Sequence, residues 1–81
     1  MTEAEIKETI FRILAEIAPE ADFEVLSPDE NLRKALDIDS YDALKFIIGL
    51  NEELGVDIPE SDYGQLNTLT TIIRYLSTRV G

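Results

Sequence analysis

Residues 32–60, LRKALDIDSYDALKFIIGLNEELGVDIPE, decide the reading of this chain. Asp39 and Ser40 are both good N-cap residues, and Gly55 suits the left-handed position that ends a helix. Between them the apolar residues Tyr41, Leu44, Ile47, Ile48, Leu50 and Leu54 recur at helical spacing over a wide arc, with Phe46 just beyond its edge. A helix apolar over such an arc touches neighbours on more than one side, and Leu44, Ile47, Leu50 and Leu54 are expected to be core residues. Asp42, Lys45, Glu52 and Glu53 fall on the remaining face. Upstream, Ser27, Pro28 and Glu30 read as a cap, a first helical residue and its capping-box partner, which predicts a short helical turn within about 28–36. Downstream, Val56, Ile58 and Pro59 make a short extended connection, and residues 60–64 can form about one further helical turn.

The same periodicity extends to both ends. Thr2 followed by Glu5 has capping-box spacing, and Ile6, Ile10, Ile13, Leu14 and Ile17 form one apolar stripe that stops before Pro19. Asn67 or Thr68 can cap a last helix whose stripe is Leu69, Ile72, Ile73, Leu76 and Val80. The connection from about 19 to 39 is long for a small domain and needs anchors, which Phe23, Val25, Leu26, Leu32, Leu36 and Ile38 can supply. No alternating strand pattern is found. The expected fold is all-α: a single domain over residues 1–81, with three main helices, one or two short ones and a long first loop.

Composition narrows what such a domain can do. There is no cysteine and no histidine, so disulfides and the usual zinc ligands are excluded, and stability must come from packed apolar surface. No glycine-rich phosphate loop or nucleophile-base pair is present, which argues against an independent enzyme. Seventeen acidic against seven basic residues give a formal charge of −10, a poor match for nucleic acid or anionic membrane surfaces and a good one for a basic patch on another protein. The acids also serve simple solubility. Asp37, Asp39 and Asp42 cluster, but an EF-hand counted from Asp37 needs glycine at its sixth position and glutamate at its twelfth, where this chain has Asp42 and Ile48. No signal-peptide pattern and no apolar stretch of membrane-spanning length is found, so a cytoplasmic location is expected.

Residues 32–60 resemble the central signature of acyl carrier proteins, in which an Asp-Ser pair opens the second helix and an Ile-Pro-acid element follows it. Here those pieces are Asp39, Ser40, Ile58, Pro59 and Glu60, and the other helices fall where the family has them. The resemblance implies a small four-helix bundle that is a carrier and not an enzyme. It implies 4′-phosphopantetheine, transferred from coenzyme A to Ser40 by a separate magnesium-dependent phosphopantetheinyl transferase, with Asp39 as the adjacent motif residue. It also implies docking of acyl-loading and acyl-using enzymes through basic patches, with Tyr41, Asp42, Lys45, Ile48, Glu52 and Glu53 as the contact residues and a monomeric carrier. Since the chain has no thiol, any thioester must hang from a borrowed one. Ser40 also reads simply as an N-cap, worth about 1 kcal/mol. An aminoacyl or peptidyl carrier, and an unmodified interaction protein with the same fold, are the competing readings.

Several positions depart from the family pattern. Tyr41 stands where leucine usually follows the serine, and Asp37 where glycine is common, although aspartate tolerates a left-handed backbone. Lys45 and Asn51 replace acids on the second helix. Gly49 in mid-helix costs about 1 kcal/mol relative to alanine, and suggests close approach of a partner or room for an acyl chain. These departures point to a specialised carrier with its own partners.

Overall fold

The computed structural model describes residues 1–80. Its four α-helices are α1 (Glu3–Ile17), α2 (Leu32–Ala35), α3 (Ser40–Leu54) and α4 (Leu69–Ser77), with 3₁₀ segments at Phe23–Val25 and Glu60–Gln65. No strand forms among the described residues; Asn31 and Thr68 make an isolated antiparallel bridge. None of these helices is long and apolar enough to cross a membrane.

Each main helix begins at a side-chain cap. Thr2 and Glu5 form the expected capping box on α1, Asp39 caps α3, and Thr68 with Thr71 caps α4. Gly55 ends α3 with φ 65°, the left-handed conformation expected of it. Asn51 on the last turn of α3 donates its side-chain amide to the Val56 carbonyl, so this departure from the family pattern serves the helix end.

The core lies where α1 meets α3 and α4. Ile6, Ile10 and Leu14 from α1 meet Leu50 of α3 and Ile72 and Leu76 of α4, all fully buried. Burying each such side chain contributes about 1.5–3 kcal/mol, which is how the chain holds together without a disulfide or metal. Val56 and Ile58, in the connection after α3, are also buried.

Within α3 the wide apolar arc resolves into two stripes. Phe46, Ile47 and Leu50 turn into the core, whereas Tyr41, Leu44 and Ile48 remain exposed, at 65%, 41% and 47% of their surface. The expectation that Leu44 is a core residue is therefore corrected, and Phe46 takes the place assigned to it. Periodicity defines the arc but not which part of it the rest of the fold covers. Gly49 has a reason inside the fold that the sequence reading did not include: a Cβ there would lie 2.9 Å from Ile13 Cγ2, so the missing side chain admits α1.

The long first loop is held at several points. Phe23 stacks on Phe11 of α1 with ring centroids 5.3 Å apart. Leu32 N–H donates to the Asn67 carbonyl at 2.9 Å, and Thr70 N–H to the Pro28 carbonyl at 3.0 Å, fastening the loop to the start of α4. Leu26 and Leu36 pack on the core as expected, but Val25 is 77% exposed and anchors nothing. The expected cap near Pro28 is displaced: α2 starts later, with the Asn31 side chain accepting from Lys34 N–H, while Ser27 and Glu30 close a turn before it.

Candidate functional site

The approach to Ser40 is built by three local choices. Leu36 caps the end of α2, Asp37 takes a positive φ of 52°, and Ile38 N–H donates to the Arg33 carbonyl at 3.1 Å. Aspartate tolerates this left-handed geometry better than most residues, which explains how it stands in for glycine. The chain thereby reverses sharply and delivers Asp39 to the end of α3.

Asp39 Oδ1 accepts the Asp42 N–H at 2.9 Å, and the Asp39 carbonyl accepts the Ala43 N–H at 3.0 Å. Asp39 is thus the N-cap, and Ser40 is the first helical residue. Either residue was eligible from sequence, and the carboxylate takes the role. Among the described residues the Ser40 hydroxyl has no hydrogen-bond partner, and the residue is exposed. Ser40 therefore presents an uncommitted hydroxyl where α3 has its positive dipole end and unsatisfied backbone donors.

Beside Ser40 opens a cleft of about 640 Å³. Its floor is apolar, with Leu14, Leu32, Phe46, Ile47 and Leu66, while Asn31, Arg33, Glu60, Tyr63 and Asn67 contribute polar groups. The cleft was not foreseen, because its walls come from α2, α3 and the 3₁₀ segment, which only the tertiary fold brings together.

The other site residues lie along α3. Tyr41 and Ile48 form its exposed apolar stripe with Leu44, and Lys45 Nζ lies over the Tyr41 ring, 4.7 Å from its centroid. Asp42 lies near Ser40, and Glu52 and Glu53 near the far end of the helix. Glu53 is engaged by Arg12 of α1 at 2.7 Å, a pairing hidden from sequence because the partners are far apart in the chain. Among the described residues no cluster of acids has the geometry to hold a metal ion.

An α-helical bundle with an exposed, unengaged serine at a helix start beside a cleft has the geometry to bear a covalently attached group. The family model described as "Phosphopantetheine attachment site" matches residues 8–76. Acyl carrier proteins from Thermosynechococcus vestitus and Lactobacillus acidophilus are each 30% identical to this chain, over 99% and 100% of it and 98% and 100% of their own lengths. One from Chlorobium phaeobacteroides is 30% identical over 94% of this chain and 96% of its own. The chain belongs to the acyl carrier protein family, whose members are carriers and not enzymes and whose prosthetic group is covalently attached 4′-phosphopantetheine. The residues present fit that group: an accessible hydroxyl free of capping duty, a helix N-terminus for a phosphodiester, and an adjoining cleft.

Proposed function

We propose that Ser40 is the attachment residue and that the protein carries acyl groups as thioesters on the arm between enzymes of acyl metabolism. The division of labour between Asp39 and Ser40 carries this reading: the aspartate caps α3, leaving the serine hydroxyl accessible and unbonded. Ser40 supplies the oxygen that becomes one ester of a phosphodiester, its proton passing to the transferase, while the pyrophosphate bond of coenzyme A breaks and the adenine nucleotide leaves. The arm's terminal thiol supplies the acyl linkage that this cysteine-free chain cannot make.

Partner enzymes read α3. Asp39 and Asp42 beside Ser40, with Glu52 further along, offer charges to a basic docking patch, and Tyr41, Leu44 and Ile48 offer apolar area. Lys45 interrupts the acidic face and sets this carrier apart from a uniformly acidic one, which favours a dedicated set of partners.

The test is direct. Purified protein incubated with coenzyme A, magnesium and a broad-specificity phosphopantetheinyl transferase gains one phosphopantetheine by intact mass, and Ser40→Ala gains none. Failure of the unaltered protein with several transferases overturns the proposal. Loading assays with acyl and aminoacyl ligases then define the cargo, with acyl transfer expected and exclusive aminoacyl transfer pointing to the aminoacyl carrier class.

A further inference from the structure

We infer that Lys45 makes α3 selective for partners that set a carboxylate within an otherwise basic docking surface, and that Tyr41 holds the lysine ammonium ready for that contact. This rests on the reading that partner enzymes dock on α3.

Placement on the helix carries the argument. Lys45 stands on the polar flank of α3, at i+4 from Tyr41 and i−3 from Ile48, so it is next to both on the helix surface. All three residues are exposed. The Lys45 Nζ lies over the face of the Tyr41 ring, 4.7 Å from its centroid. A surface that covers this ring also reaches the ammonium.

The ammonium has no anionic partner of its own. Among the described residues Lys45 forms no salt bridge, although Asp42 is only three residues back. The ring attracts the cation but offers no lone pair to its three N–H donors. Docking over Tyr41 and Ile48 therefore takes a charged group out of water. A partner with no acceptor there leaves it uncompensated, and one with a base there meets like charge. A carboxylate neutralises the charge and accepts its hydrogen bonds.

The surrounding charges define the rest of the partner. Asp39 and Asp42 lie toward the start of α3 and Glu52 toward its end. The matching surface is basic opposite both groups and acidic between them. A uniformly basic patch fails at Lys45, so the lysine rejects partners as well as choosing them. A second copy of this chain is a poor occupant, since each copy carries a formal charge of −10, and an anionic lipid surface is repelled in the same way.

The probe is a phosphopantetheinyl transferase with a basic docking patch, together with variants in which one patch base at a time is changed to glutamate. Dissociation constants are measured with unmodified carrier at low salt, so the outcome does not depend on whether Ser40 is ever loaded. Lys45→Glu is expected to bind the parent transferase roughly tenfold more tightly than the unaltered carrier does, and at least one glutamate variant is expected to reverse that preference. Tyr41→Phe keeps the reversal, whereas Tyr41→Leu shrinks it. In NMR of the free carrier, the Lys45 side-chain protons show an upfield ring-current shift that Tyr41→Leu removes. Absence of that shift in the unaltered carrier overturns the part assigned to Tyr41. Asp42→Lys and Glu52→Lys report separately on the docking face, and each weakens binding to the parent transferase. If those two weaken binding while no glutamate variant reverses the Lys45 preference, docking on α3 stands and the selectivity assigned to Lys45 is overturned. If no substitution at positions 42, 45 or 52 alters binding, the docking reading falls and takes the inference with it.

Discussion

Gly49 on α3 and Ile13 on α1 approach so closely that a Cβ at position 49 would stand 2.9 Å from Ile13 Cγ2. That methyl is attached directly to the branched Cβ of Ile13 and cannot swing aside as the end of a long side chain could. Gly49→Ala gains up to about 1 kcal/mol of helix propensity, while overpacking costs about 1–3 kcal/mol. The expected result is destabilisation by about 1 kcal/mol in chemical denaturation. In an Ile13→Ala background, which removes the obstructing methyl, the same substitution becomes neutral or stabilising. A double-mutant cycle with no coupling between the two positions rules out this account of the glycine.

The capping arrangement makes neighbouring residues separable. Asp39→Ala removes the acceptor for Asp42 N–H and should cost about 0.5–2 kcal/mol, whereas Asp39→Asn retains most of the cap. Ser40→Ala removes an exposed, unbonded hydroxyl and should change stability by less than about 0.5 kcal/mol. Thermal melts of the unmodified proteins make the comparison. Equal destabilisation by Ser40→Ala and Asp39→Ala would mean that Ser40 shares the cap and is not free for attachment.

Features decided within four residues of chain were legible in the sequence. The Thr2–Glu5 box, the left-handed Gly55, the tolerance of Asp37 for positive φ and the start of α3 all depend on backbone groups nearby. What stayed hidden depends on elements distant in sequence. Leu44 and Phe46 exchange their expected places because α1 packs on one side of α3 and leaves Leu44 on an exposed side. The Arg12–Glu53 pair, the fit of Gly49 to Ile13 and the cleft beside Ser40 likewise exist only once the helices have packed. Ser40 itself was legible as a helix-start serine and, by resemblance, as an attachment residue, but its freedom from capping required the hydrogen bonds.

At the start of α1, Glu5 Oε1 accepts the Thr2 backbone N–H at 2.9 Å while Thr2 Oγ1 accepts the Glu5 N–H at 3.1 Å. The bond from the Thr2 backbone, then the Thr2 side chain, holds the Glu5 carboxyl below its ordinary value of 4.5. A depressed folded-state pKa contributes stability above the unfolded value, and that contribution is lost as pH falls through the folded value. Carboxyl NMR titration should find Glu5 below 4.5, and Thr2→Pro, which removes both the backbone donor and the hydroxyl at a φ of −81° that proline can adopt, should move it up toward 4.5. An unchanged Glu5 titration in Thr2→Pro would show that the capping box is not the cause.

Tyr75 fastens the 3₁₀ segment Glu60–Gln65 to α4. Its buried ring ends in a hydroxyl that donates to Asp62 Oδ2 at 2.7 Å, and the Arg79 guanidinium lies 3.6 Å from the ring centroid and 3.9 Å from the same carboxylate oxygen. Burial, and then the hydrogen bond to Asp62, push the phenol above its ordinary value of 10.0. The sign follows from the protonated form being the one the fold favours. The contribution is complete below the unfolded value near 10.0 and is lost as pH rises through the higher folded value. Tyr75→Phe keeps the ring beneath Arg79 but removes the donor, and should cost about 1–2 kcal/mol near neutrality. In ultraviolet titration Tyr75 should ionise above 10.0, and the alkaline loss of stability should be smaller in Tyr75→Phe. Hydrogen exchange in residues 60–65 should quicken in that variant, because the segment loses its tie to α4. Unchanged exchange there, together with an unchanged alkaline limb, would exclude Tyr75 as the fastening.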